Sequence, residues 1–195
     1  YRFHSYIRQG VLEWNKAFEK IGFVDAIEVR VQQNDESWDP EDAGYNTIRW
    51  TAGASFATGP SRVNPLSGQI LDADILINEG FVRSWQRKYT TFFDQVQQER
   101  DHWIESSPFK CNMASGLSHQ MTFMATAMAV RELVGLNGEM PEEYLGQALK
   151  ALTMHEVGHT LGLRHNFKAS SMLSLDQLND KTRSALLGSV MDYDP

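Results

Sequence analysis

The stretch "MHEVGHTLGLRHN", residues 154–166, puts three histidines and one glutamate into thirteen positions. It follows Pro141 and the run "EEYLGQALKALT", and the whole is compatible with a helix of about five turns. On that helix His155 and His159 stand at i and i+4, so both imidazoles leave one face and can hold one ion. Glu156 lies one step round from the first of them. Gly162 can take a positive φ, end the helix and turn the backbone, so that His165 comes back toward the other two. Three neutral imidazoles that leave a fourth position open are the donor set of a catalytic zinc ion, whereas a structural zinc is closed by four protein ligands. The competing reading is a helix with accidental histidines. A chance match of five such residues at fixed offsets has odds on the order of one in 100,000 at ordinary residue frequencies, and this favours the metal.

Downstream, "SVMDY" at 189–193 brings a methionine and a tyrosine after the third histidine. Together, "HEVGHTLGLRH" and this second segment resemble the HExxHxxGxxH motif and Met-turn of the metzincin metallopeptidases. That resemblance implies an α+β fold: a twisted mixed sheet with an antiparallel edge strand, a long active-site helix and a Met-turn. It also implies that His155, His159 and His165 bind one catalytic Zn2+ and that Glu156 is the general base. Met191 would form the hydrophobic floor beneath the metal. Tyr193 would stand where some members carry a tyrosine that approaches the zinc and stabilises the reacting oxyanion.

The wording of "VLEWNKAFEKIGF" (11–23), "ILDADILIN" (70–78) and "MHEVGHTLGLRHNFKAS" (154–170) is also similar to a bacterial group of large zinc-dependent metallopeptidases. In that group the catalytic domain lies between other domains. A peptide or protein substrate, flanking domains and an extracytoplasmic location, whether periplasmic, cell-surface or secreted, are the expectations that go with it. Asn166 after the third histidine departs from the named metzincin subfamilies, so none of these is assigned. The strand that usually precedes the opening helix, and the helix that usually follows the Met-turn, have no room here, which implies a piece of a longer chain.

The rest of the chain reads as one domain over 1–195, with a helical elaboration at about 80–140. "YIRQGVLEWNKAFEKIGF" (6–23) places Ile7, Val11, Trp14, Ala17 and Phe18 at helical spacing, with Gly22 as a stop. "AIEVRVQ" (26–32) and "NTIRWTA" (46–52) alternate apolar and polar residues and read as strands. Residues 54–78 read as two further strands around a turn at "NPLSG", and Pro60 and Pro65 make the first of them, 54–63, an edge strand. An edge beside a cleft can take up an extended peptide as another strand. Two helices are expected over about 80–105 and 117–135, the second Met-rich in the manner of core packing.

Some functions are excluded or weakened. A net charge of −7 without clustered Lys and Arg argues against nucleic acid. No apolar run reaches the roughly 18–20 residues of a membrane span. Cys111 is the one cysteine, which rules out an internal disulfide and fits a small buried hydrophobe. Ca2+ is a minor possibility at Asp35, Glu36, Asp39, Glu41 and Asp42, or at Asp72 and Asp74, although neither group has EF-hand spacing. His4, His102 and His119 have no partner at ligand spacing. The function expected is zinc-dependent endopeptidase. The alternatives are a non-catalytic zinc-containing module that binds proteins or glycans, and a narrow-specificity maturation or aminopeptidase.

Overall fold

The computed structural model describes residues 2–52, 60–91, 140–180, 182–183, 185 and 187–193. The helix expected over 117–135, the far part of that expected over 80–105, residues 54–59, Cys111, His102 and His119 lie outside these. In chain order the elements are α1 (His4–Glu19), β1 (Thr47–Thr51), β2 (Ser61–Val63), β3 (Ile70–Asn78), α2 (Glu79–Thr91), α3 (Glu142–Thr160), a 3-10 turn (Phe167–Ser171) and α4 (Leu175–Leu178). The architecture is α+β, with a small mixed sheet in the order β1-β3-β2.

β3 is central because its second half is apolar where it must be buried: Ile75 and Ile77 enter the core. β1 runs parallel to it, with Thr47 opposite Asp74 and Thr51 opposite Asn78. β2 runs antiparallel on the other side. The turn between β2 and β3 is closed by the Gly68 N–H on the Asn64 carbonyl at 2.8 Å, and Gly68 has φ +73°. The expected antiparallel edge strand is thus present in its described part. Asn78 switches strand to helix: its side-chain oxygen accepts the Gly80 N–H at 2.6 Å, as an N-cap residue does.

α3 is apolar on most of its circumference and is correspondingly enclosed, with Leu145, Leu149 and Leu152 fully buried. Pro141 is its N-cap, and Glu142 and Glu143 in the first turn face the positive end of the helix dipole. Met140 and Leu145, both in the core cluster, occupy the positions of a hydrophobic staple.

Along α1, Tyr6 abuts Gly146, Gly10 abuts Lys150 and Thr153, and the Trp14 indole donates to the Met154 carbonyl at 2.9 Å. The two helices therefore run side by side in the same direction. α1 ends as expected at Gly22, φ +95°, where the Gly22 N–H reaches Glu19 and the Phe23 N–H reaches Phe18, a Schellman motif. Phe18 and Phe23 add the edge-on ring contact that commonly accompanies it.

Residues 26–32 differ from expectation. They do not form a strand, although Ile27 and Val29 are half-buried and Glu28 and Arg30 exposed. The segment is held by a side chain: Asn15 on α1 both donates to the Ile27 carbonyl and accepts the Ile27 N–H, each at 2.9 Å. The alternation was a sign of one buried face, which does not require a ladder partner. Between this segment and β1 lies a groove of about 930 Å³, floored by Ile75, Ile77 and Val157. Among the described residues nothing pairs with the outer edge of β1.

Candidate metal centre

α3 is the rigid platform of the site. Its last turns bury His155 and Glu156 completely, while His159 remains half-exposed. The helix stops at Gly162, φ +88°, where the Gly162 N–H bonds the His159 carbonyl at 2.9 Å and the Leu163 N–H bonds the Gly158 carbonyl at 3.0 Å. This second Schellman motif reverses the chain and returns His165 to the helix. The three imidazoles meet, with candidate ligand atoms within 4.8 Å of one another. His159 Nε2 and His165 Nε2 are 3.0 Å apart.

The other ring nitrogens are held from behind. His155 Nδ1 lies 2.8 Å from the Val190 carbonyl, and His159 Nδ1 lies 3.0 Å from the Leu163 carbonyl. A carbonyl only accepts, so both Nδ1 atoms carry the proton and the lone pair that a cation would take is on Nε2 of each ring. His165 Nδ1 lies 3.3 Å from the Tyr193 hydroxyl. The donor set therefore fits zinc: three imidazoles converge, and each is oriented by an oxygen on its far edge. Among the described residues this is the one such group of three.

Electrostatics favour the same state. The His155 pKa is pushed down to about 4, chiefly by burial and further by the neighbouring charges of His159 and His165, against the opposing bond to Val190. Burial also lowers that of His165, helped by the charges of His159 and Arg164. Both shifts keep the rings neutral, the form that ligates metal.

The segment 189–193 lies against the site. Met191 is buried, 3% exposed, and Gly158 on α3 faces it so closely that a Cβ there would run into the Met191 Sδ. The Asn166 N–H donates to the Met191 carbonyl at 2.9 Å, which ties the residue after the third histidine to this turn. Phe167 and Tyr193 flank the His165 ring, with centroids 5.4 and 4.5 Å away.

Sequence reading named the side chains and missed the oxygens behind them. The Val190 and Leu163 carbonyls have no signature, because every residue carries one. The hydroxyl of Tyr193, the residue expected to approach the metal, lies 3.3 Å from His165 Nδ1. Asp192, to which sequence reading assigned no role, is 2% exposed and accepts the Ser170 hydroxyl.

Asp39, Glu41, Asp42, Asp72 and Asp74, considered for calcium, are engaged otherwise. Asp72 pairs with Arg62 at 3.6 Å, and Asp74 takes the Thr47 hydroxyl and lies 4.0 Å from Arg49. In the acidic loop, Asp39 and Asp42 accept backbone N–H groups of Glu41 and Gly44, and Glu41 pairs with Arg49. The calcium expectation finds no support there. The large groove beside β1 is lined by none of the three histidines and is separate from the centre.

No helix among the described residues is long and apolar enough to cross a membrane. No curated protein and no solved structure matches the chain. A family described as Met-zincin does match, over residues 137–195, the part that carries α3, the three histidines and the turn at Met191. In that part the chain is similar to the Met-zincin family, in agreement with the metzincin resemblance of its motif.

Proposed function

We infer that this chain is a zinc-dependent endopeptidase. The observation that carries the reading is the convergence of His155, His159 and His165 with an oxygen behind each ring, one residue from a buried glutamate. When bound, zinc would act as a Lewis acid on the scissile carbonyl and lower the pKa of a water toward about 7.

Glu156 then takes the proton of the attacking water and returns it to the amine that leaves, a contribution of roughly 10²- to 10⁴-fold. Helix α3 fixes its position beside His155. The outer edge of β2, with which nothing among the described residues pairs, would on this reading take up an extended substrate backbone as another strand. In this reading the turn at Met191 is the Met-turn, and Tyr193 orients His165. For that phenol to meet an oxyanion, its ring would have to turn away from Nδ1.

The test is paired: zinc content by elemental analysis and cleavage of a mixed peptide library, on wild type and Glu156→Ala. The expected result is one zinc in both proteins and cleavage by the wild type alone. Undiminished cleavage by Glu156→Ala would overturn the mechanism. Zinc in both with cleavage by neither would favour the non-catalytic module, a reading that leaves Glu156 without a purpose.

A further inference from the structure

Asp192 is an ionisable side chain buried to 2% exposure beside the metal centre, and the mechanism above does not use it. Its two carboxylate oxygens face different segments. Oδ2 accepts the Ser170 hydroxyl at 2.5 Å, and Oδ1 accepts the Tyr193 N–H at 2.9 Å. Its own N–H donates to the Ser189 carbonyl at 3.2 Å. Among the described residues no Lys or Arg pairs with it, and the contacts it makes there are hydrogen bonds.

Taking a carboxylate out of water is costly unless hydrogen bonds or charges compensate it. A turn does not need it: a neutral Asn or Ser would accept the same local N–H. The bond to Ser170 distinguishes the site, because Ser170 lies on the 3-10 turn that follows His165, 22 residues away in sequence. That turn is pressed onto the chain just before Ser189. A Cβ on Gly188 would meet Met172 Sδ at 2.9 Å and the Ala169 carbonyl at 3.1 Å. The Asn166 N–H on the Met191 carbonyl is a second tie between the same two segments.

We propose that Asp192 is a positioning residue for the metal centre: its carboxylate clamps the 3-10 turn after His165 to the turn that carries Val190, Met191 and Tyr193. Both His165 and the oxygens behind His155 and His165 belong to the clamped segments. The clamp therefore sets where two of the three imidazoles stand. It rests on the zinc reading above and deepens it.

The experiment uses the full chain as wild type, Ser170→Ala, Ser170→Thr, Asp192→Asn and the Ser170→Ala/Asp192→Asn double variant. Zinc affinity is measured by competition with a chelating dye, together with kcat, KM and the melting midpoint of the zinc-free protein. Ser170→Ala and Asp192→Asn are each expected to weaken zinc binding by about tenfold, at the lower end of what loss of an outer-shell partner costs. Cleavage should lose kcat with little change in KM. Ser170→Thr should restore affinity, and the double variant should be no worse than the poorer single one, because the two residues form one contact.

Zinc affinity within twofold of wild type in both single variants would overturn the clamp. If Asp192→Asn does not fold, the exposed Ser170 decides through its Ala and Thr variants. A wild type that takes up no zinc would overturn the metal reading and this proposal together. Zinc uptake unaffected by the variants would overturn this proposal alone.

Discussion

Burial holds the His155 imidazole in its neutral form, and that has a consequence for the zinc-free protein. Its folded pKa is about 4, against 6.5 for the free side chain. Between these values the unfolded chain binds the proton that the folded chain refuses, so stability rises with pH across that window. The contribution is fully present above about pH 6.5 and is lost as pH falls toward 4. His165 is shifted the same way and adds to the trend. The melting midpoint of the zinc-free wild type is therefore expected to fall from pH 7 to pH 4.5 by several degrees more than that of His155→Gln. Equal slopes would contradict the assignment. Side-chain identity made this residue legible in the sequence, since two histidines four apart on a helix must share a face. The carbonyl behind it was not legible, because nothing in Val190 announces where its backbone oxygen points.

At the scale of elements, the contact between α1 and α3 supports the centre. Gly10 on α1 lies against the backbone of α3, where a Cβ would come within 2.7 Å of the Lys150 carbonyl and 2.8 Å of Thr153 Cβ. Gly10→Ala gains up to about 1 kcal/mol in helix propensity. Overpacking costs about 1–3 kcal/mol, and it wins here because the obstructing atom is backbone and cannot turn aside. The variant should thus lose stability in urea denaturation, although alanine is the better helix former. A gain would show that the helices sit further apart.

Both helices were readable from their apolar spacing, and both of their ends from Gly22 and Gly162. The segment 26–32 was misread for a physical reason. Alternation reports which side chains are buried, whereas a strand is defined by what its backbone bonds, and here that partner is the amide of Asn15. Asp192 escaped notice likewise, because its type suits an exposed turn and only the fold encloses it.

For the molecule as a whole, two arrangements lie on opposite sides of α3. The centre relies on short hydrogen-bonded returns of the chain, at Gly162, Asn166 and Val190; the motif implied the first, whereas the other two are backbone contacts that carry no signature. The sheet is less complete. β1 is bonded to β3 along one edge and opens on its other edge into the groove bounded by residues 26–32.

In a parallel ladder, successive residues of a strand turn their amides to opposite sides, so only every second amide of β1 is committed to β3. Native-state hydrogen–deuterium exchange, read residue by residue by NMR, should therefore show protection alternating along Thr47–Thr51, with the amides that face the groove exchanging at rates like those of a loop. Uniform protection of all five would mean that in solution another stretch of polypeptide completes the sheet there.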